Sequence, residues 1–234
     1  MIRLLALLAL LLHAPAFAIQ RTYSVGTFER VRVEGPFEVR IRTGTSPGAT
    51  ASGDRKLIEQ LDIAVNGTTL VVRLGHEGWG ETPSDAPSTP PVVTLTTPRL
   101  TAIIVNAGGR VTVAPLSAQR VDLSVTGAGA INASGVKADE LNAAVIGTGT
   151  LVLAGTAQRA RLNANGAGAI DASALTANDL TVRLDGPGEI GAAARYTAQV
   201  NSTGLGKVTV TGDAKCTVRA PAGGPVVCGT RALR

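Results

Sequence analysis

The chain has 234 residues, a formal net charge of +5 and only 3% aromatic residues. Its Lys and Arg residues are scattered, and the aromatic platforms of single-strand binders are missing, which argues against nucleic acid as a partner. Only two histidines and two cysteines occur. These are too few ligands for a His/Cys metal site, and we expect no bound cofactor.

The N-terminal segment, from Met1 to Ala18, is typical of a secretory signal peptide. Arg3 supplies the positive charge at the N-terminus, and residues 4–12 form an apolar run too short to span a bilayer. A small-x-small cleavage site ends at Ala18. Cleavage before Ile19 leaves a chain long enough for one sizeable domain, at 19–234. An uncleaved anchor helix is the alternative. We expect an exported protein, periplasmic or extracellular, that does not span the membrane after cleavage.

Residues 19–99 are the irregular N-terminal part of this domain. Residues 31–41 resemble a divergent copy of the repeat described below, residues 55–61 favour a short helical turn, and residues 92–97 form a strand. Two alternating segments flank Asn66-Gly67, which is a strong hairpin signal. We expect these atypical elements to cover an open sheet edge. Residues 75–91 are rich in proline and predict a long loop.

Residues 100–210 form regular coils, because a short unit repeats there about every 20 residues. Each copy contains alternating residues, a Gly-x-Gly, one further residue and an aliphatic residue. A weaker copy has Ala107 and Gly109 in place of the two glycines. The glycine pairs are Gly127 and Gly129, Gly147 and Gly149, Gly166 and Gly168, Gly186 and Gly188, and Gly204 and Gly206.

The residues around each glycine pair alternate between apolar and polar. This period of two is typical of a strand with one buried face, and glycine suits a tight corner. A unit of this length cannot bury its apolar face alone, so it must stack on its own copies. The sequence therefore predicts an all-β, single-domain parallel β-helix. Each coil is expected to contain a strand, a Gly-x-Gly corner, a second strand and a turn.

Few residues have the spacing that catalysis needs. The Gly-x-Gly pairs lack the third glycine and the helix of a phosphate-binding loop, so we interpret them as structural corners. Asp122 and Asp185 lie on outward columns ~14 Å apart by strand spacing. Asp139, Glu140 and Asp179 are assigned to turns. We expect no enzyme, and the alternative is a polysaccharide-active enzyme that uses outward Asp and Glu residues.

Two features are candidate binding surfaces. The first is an outward column directly before the glycines, which we call the pre-glycine column. A flat polar ladder of this kind suits a glycan or a protein, or is simply a solvated face. The second is Trp79, for which a ring tucked against the nearest coil is the alternative. The pre-glycine column consists of Asn106, Thr126, Ile146, Asn165, Asp185 and Thr203.

Residues 211–234 are expected to cap the C-terminal end. Cys216 and Cys228 are the only cysteines, and two cysteines in an exported protein are expected to pair. Two free thiols or a redox pair are the alternative, although the spacing is not Cys-x-x-Cys. The sequence thus predicts a disulfide that staples the cap.

The chain resembles the head GIN domain family. The resemblance rests on Gly-Ala-Gly-Ala-Ile at 127–131 and 166–170, on their relatives at 147–151 and 186–190, and on the opening segment 28–39. It implies a β-helical fold and a non-enzymatic, adhesive surface role, because family members are exported bacterial proteins named for autotransporter adhesion. The resemblance supplies no catalytic or binding residues. The segment after Val210 is too short for a membrane barrel, so we do not expect this chain to perform autotransport itself.

The sequence as a whole favours an exported β-solenoid that acts as a binding or structural module. Its expected partner is a glycan, an envelope component or a protein. Self-association through an uncapped sheet edge is a further option.

Overall fold

The computed structural model describes residues 19–75 and 90–229. These residues form 17 strands, which belong to one continuous sheet, and the short helix α1 (Arg55–Gln60). In chain order the strands are β1 (Ile19–Tyr23), β2 (Arg30–Glu34), β3 (Glu38–Thr43), β4 (Gly48–Gly53), β5 (Leu61–Asn66), β6 (Thr69–Leu74), β7 (Val92–Thr97), β8 (Ala102–Asn106), β9 (Arg110–Val113), β10 (Leu116–Gly127), β11 (Ala130–Gly147), β12 (Thr150–Asn165), β13 (Ala169–Asp185), β14 (Glu189–Ser202), β15 (Lys207–Thr211), β16 (Lys215–Arg219) and β17 (Val226–Cys228).

The coils stack in parallel with their repeats in register. β10 to β14 pair successively with one another, and every pairing is parallel. Val125 lies between Val105 and Val145, and all three side chains are buried. Because the other inward columns behave in the same way, small aliphatic side chains form ladders along the core. The predicted all-β parallel solenoid is confirmed, with about 20 residues per coil.

The Gly-x-Gly pairs lie at bends where successive coils approach each other closely. Gly147 has a φ of 111°, which residues with a side chain rarely adopt. Gly149 has no such φ, but a Cβ built on it would lie 2.7 Å from the carbonyl oxygen of Gly129 and 2.5 Å from Cγ1 of Val125. Gly147 is therefore required by its backbone conformation, and Gly149 is required because a Cβ would not fit between adjacent coils.

The coils of β11 and β13 contain three buried runs rather than two strands and a turn. In β11, buried residues alternate with more exposed residues within each run. Two consecutive residues that are not buried separate one run from the next, so that the inward positions shift by one residue there. Strand pairing with β12 nevertheless continues through all three, with one register shift. We number the runs from the Gly-x-Gly corner, so that in β11 they are residues 131–133, 136–138 and 141–145.

The predicted turn between the coils is therefore wrong. Asp139 and Glu140 lie within β11, and Asp179 lies within β13. The second run has only three residues, which is too short to display a period of two in the sequence. It therefore gave no recognisable strand pattern. The backbone bends at the phase changes without leaving the sheet.

The coils at the N-terminal end do not stack in chain order. β2 pairs in parallel with both β6 and β8, and β3 pairs in parallel with both β7 and β9. The coil of β2 and β3 is therefore inserted between two coils that come later in the chain. Beyond it, β5 pairs antiparallel with β6, β4 with β7, and β1 with β4. These antiparallel strands and α1, whose Ile58 is fully buried, lie at the N-terminal end of the core.

Local signals in this region correspond to the observed elements. β5 and β6 form an antiparallel hairpin whose register closes at Asn66 and Thr69, and Gly67 between them has a φ of 62°. Helix α1 begins after Asp54, whose carboxylate accepts a hydrogen bond from the backbone N–H of Lys56 at 2.8 Å. The strand predicted at 92–97 is β7.

The predicted disulfide is confirmed and lies at the C-terminal end of the core. Cys216 stacks on Ala198, and Cys228 stacks on Val210. Both residues beneath are buried, so the two cysteines continue inward columns on opposite strands of the last coil. The bridge, with a Cα–Cα distance of 6.1 Å, therefore crosses the end of the solenoid interior.

Candidate binding surface

A shallow groove of about 680 Å³ follows the second run of successive coils. We call it the axial groove. Its lining comes from residues 117–119, 137–139 and 156–158 and from Thr176 and Asn178, with Arg195 at one end. One wall is the outward column Ser117, Lys137, Thr156 and Thr176, and the other is Gln119, Asp139, Gln158 and Asn178. Between them lie the inward alanines Ala118, Ala138 and Ala157, whose backbone forms the floor.

The register of the second run builds this groove from a repeated tripeptide. Ala138 pairs with Ala118 on one side and Ala157 on the other, so that the residues flanking each alanine also stack into columns. Ala138 and Ala157 are buried, with exposed fractions of 7% and 5%, because their methyl groups point into the core and only their backbone borders the groove. The groove thus combines a shallow floor of backbone atoms with two polar walls.

The second wall carries a hydrogen-bonded pair of amides. Nδ2 of Asn178 donates to Oε1 of Gln158 at 2.6 Å, across one coil step. Gln119 and Asp139 continue the same wall toward the N-terminal end. Successive coils lie ~4.8 Å apart, so four coils present polar groups over ~14 Å along the solenoid axis.

An ion-pair ladder borders this wall. Oε1 of Glu140 accepts from Nη2 of Arg159 at 2.6 Å, and Oε2 accepts from Nε of Arg120 at 3.0 Å. The hydrogen bonds from Arg159 and Arg120 hold the pKa of Glu140 below its ordinary value. A second hollow of about 580 Å³ lies here, lined by these residues together with Asp139 and Asp179. Three carboxylates therefore share one surface depression.

An exposed aromatic residue lies in β14 next to the end of the axial groove. Tyr196 has an exposed fraction of 56%, and the guanidinium of Arg195 lies 5.5 Å from the centre of its ring. The register between β13 and β14 shifts at this level, since Ala177 pairs with Ala194 but Asp179 pairs with Thr197. The shift places Arg195 and Tyr196 opposite Asn178.

The pre-glycine column directly follows the third run, apart from the axial groove. Asn106, Thr126, Ile146, Asn165 and Asp185 pair successively in register, and Thr203 directly follows β14. The structure thus aligns the column as a ladder, and neither of the two hollows described above includes it. Its binding role stays a prediction.

The remaining predicted sites fall at the margins of the described chain. Trp79, most of the proline-rich segment, and the predicted signal peptide up to Ala18 lie outside the described residues. Ile19 is the first residue of β1. In the two described segments, no helix has the length and apolar character that crossing a membrane requires. The same segments contain no group of three or more His, Cys, Asp or Glu side chains placed to hold a metal ion.

Comparison with known proteins identifies the family. Residues 27–214 match the family described as "Putative auto-transporter adhesin, head GIN domain". The chain belongs to this family. None of the curated proteins matches it. The resemblance inferred from the Gly-x-Gly repeats is therefore confirmed.

Solved structures of other proteins share the fold. A putative adhesin from Bacteroides fragilis is 22% identical, with a TM-score of 0.81 over 90% of this chain and 94% of the other. A putative lipid binding protein from Parabacteroides distasonis is 17% identical, with a TM-score of 0.67 over 93% and 96% of the two chains. A putative adhesin from Parabacteroides merdae is 15% identical, with a TM-score of 0.67 over 92% and 95%. At these identities the likeness establishes the fold alone.

Sequence analysis missed the axial groove, although the repeat contains a signal for it. A polar residue, an alanine and a second polar residue recur as Ser-Ala-Gln at 117–119, Lys-Ala-Asp at 137–139, Thr-Ala-Gln at 156–158 and Thr-Ala-Asn at 176–178. The spacing follows that of the glycines. The signal was overlooked because these residues were assigned to turns, where no column is expected.

Proposed function

We propose that this protein is an exported, non-enzymatic module that binds an extended glycan of the cell envelope along the axial groove. The observation that supports this most directly is the repetition of the same polar walls on four successive coils. A ligand that is itself a repeating polymer meets a pair of polar side chains at each step. The family description as an adhesin head domain agrees with a binding role.

The chemistry of the groove suits sugars. The hydroxyl and amide groups of Thr156, Gln158 and Asn178 both donate and accept hydrogen bonds, as sugar hydroxyls do. Tyr196 adds an exposed ring beside the end of the groove. Each contact is weak because the groove is open to water, but contacts along one chain add their binding free energies through a high effective concentration.

Export is supported by three independent features. The segment from Met1 to Ala18 matches a secretory signal peptide, the family is described as adhesins, and Cys216 and Cys228 form a disulfide of the kind that persists in oxidising compartments. We place the protein in the periplasm or on the cell exterior. Mass spectrometry of the exported protein should find Ile19 at its N-terminus.

A direct binding measurement tests the proposal. The exported protein is titrated calorimetrically with soluble oligosaccharides of several linkages, and at least one should bind. Gln158→Ala should weaken that binding, whereas Asn163→Ala should not, because Asn163 is an exposed amide on the third run outside the groove. Absence of binding to every glycan, together with capture of a protein from the envelope, would contradict the proposal in favour of a protein partner.

A polysaccharide-active enzyme is the second candidate, and one observation favours it. Asp139, Glu140 and Asp179 line one depression rather than separate turns. However, a general acid needs a raised pKa, and the pKa of Glu140 is lowered by its two arginine partners. Release of reducing ends from a polysaccharide by the exported protein, abolished by Glu140→Gln, would establish the enzyme. We expect no release.

A further inference from the structure

We propose that Arg195 and Tyr196 form a terminal subsite of the axial groove that binds a uronic acid residue of the glycan. This inference rests on the proposed function, since it names the ligand chemistry at one end of the same groove. It is drawn from a β-bulge in β14, from the exposed ring that this bulge presents, and from the charge of the guanidinium beside the ring.

One extra residue in β14 builds the subsite. Arg195 and Tyr196 together lie opposite the single residue Asn178 of β13, and both are exposed. Two residues that face one form a β-bulge, which redirects the side chains it carries and is common beside functional sites. The pairings among β10, β11, β12 and β13 contain no extra residue at this level. The groove therefore changes character at β14, where two large side chains replace the one polar side chain of the preceding coils.

Tyr196 supplies a surface on which a sugar ring can stack. Its exposed fraction is 56%, and no other aromatic side chain of the described segments is exposed. The guanidinium of Arg195 lies over the ring, 5.5 Å from its centre, and this cation–π contact orients the two side chains relative to each other. The guanidinium can cover only one face of the ring. A sugar ring presents a face of C–H groups, and stacking this face on Tyr196 removes apolar surface of both partners from water.

Arg195 supplies a positive charge that no ion pair of the described segments engages. By contrast, Arg120 and Arg159 at the border of the groove are both held by Glu140. Asp213 is the acidic residue of the next coil at this level, and it is exposed and forms no ion pair with Arg195. A guanidinium binds a carboxylate through two parallel N–H···O hydrogen bonds, which are stronger than its bonds to a neutral hydroxyl. The groove therefore ends at a group that favours a carboxylate.

A uronic acid combines the two features that this subsite recognises. Its carboxylate is attached directly to the sugar ring, so the charge and the apolar ring face lie side by side, as the guanidinium of Arg195 and the ring of Tyr196 do. A neutral hexose carries a hydroxymethyl group at the same position, so it can stack on the ring but gains no charge-assisted hydrogen bond. The subsite is therefore expected to select the acidic sugar over its neutral counterpart.

Two trisaccharides that differ only in this substituent test the inference. The exported protein is titrated calorimetrically with β-linked mannotriose and with β-linked trimannuronate, which share linkage, length and ring configuration. We expect trimannuronate to bind about tenfold more tightly or better at low salt, the difference expected for one hydrogen bond to a charged group. The preference should shrink as sodium chloride is added, because salt screens exposed charges.

Three variants locate the recognition. Arg195→Gln should abolish the preference for trimannuronate, because glutamine retains hydrogen-bonding groups but carries no charge. Arg183→Gln is the matched control and should retain the preference, since Arg183 is an exposed arginine on the third run of β13, outside the groove. Tyr196→Ala should weaken the binding of both trisaccharides, because both stack on the ring.

The outcomes separate this inference from the proposed function. Equal binding of the two trisaccharides, or a preference for mannotriose, would overturn the acidic subsite while leaving glycan binding intact. A preference that Arg195→Gln leaves unchanged, or that Arg183→Gln removes equally, would show that the acid is attracted elsewhere or by the net charge of the protein, and would contradict the inference. Binding to neither trisaccharide would overturn the inference, and binding to no glycan in the wider panel would also overturn the proposed function.

Discussion

Substituting the second glycine of a corner should destabilise the solenoid through steric overlap alone. In Gly149→Ala the new Cβ would lie 2.5 Å from Cγ1 of Val125, 2.7 Å from the carbonyl oxygen of Gly129 and 3.2 Å from that of Gly127. The Gly129 oxygen cannot withdraw freely, because it accepts a hydrogen bond from the N–H of Thr150 at 2.9 Å. Overpacking of this kind costs about 1–3 kcal/mol. We expect a value at the upper end, since two backbone oxygens and a buried methyl group must move together.

Urea unfolding of the exported protein, followed by circular dichroism, measures this loss. Gly26→Ala is the matched control, because a Cβ there meets no atom within 4 Å and Gly26 does not have a positive φ. We expect the control to stay within about 0.5 kcal/mol of the original protein, as for surface substitutions in general. If Gly149→Ala were equally neutral, successive coils would not approach each other as closely as described.

Three further predictions concern stability. Ser202→Ala should stabilise by about 1 kcal/mol, because its buried hydroxyl has no hydrogen-bond partner among the described residues; unchanged urea unfolding would argue against this. Replacing Cys216 and Cys228 by serine should cost about 3 kcal/mol in the chain-entropy model, read from the same unfolding curves, and no loss would show that the bridge does not hold the last coil. Glu140→Gln should destabilise at neutral pH but not below the folded-state pKa of Glu140. That pKa is lowered, so the stabilisation is present above the unfolded pKa and disappears as the pH falls through the folded value. A difference that does not vary with pH would contradict it.

The regular coils could be predicted because their signals are local and repeated. Each Gly-x-Gly fixes the register of the residues around it, so inward positions such as Val125 and Val145 followed directly from counting. The disulfide followed from composition and compartment. The corner glycines and the inward columns therefore needed no information from distant parts of the chain.

The N-terminal topology could not be predicted, since it depends on contacts between distant segments. The coil of β2 and β3 has no glycine pair to set its register, and its neighbours β6 and β7 come later in the chain. Nothing local in residues 30–43 indicates that the strand on one side will be β6 and on the other β8. Only the packing of the complete N-terminal region determines this order.

The axial groove was missed for a different reason. Its position depends on the second run, whose single inward alanine between two polar residues resembles a polar turn in sequence. Once Asp139 was assigned to a turn, the columns of Gln119, Gln158 and Asn178 had no place in the predicted coil. The candidate site therefore depends on strand pairing that continues through residues 136–140.

The most direct test of a glycan-binding axial groove is NMR mapping of the binding site. The isotope-labelled, exported protein is titrated with the tightest-binding oligosaccharide, and amide shifts are followed for every assigned residue. Shifts concentrated at 117–119, 137–139, 156–158 and 176–178, with Tyr196 at the margin, are the predicted result. Shifts confined to the pre-glycine column, or to residues outside both surfaces, would contradict the assignment of the groove as the binding site.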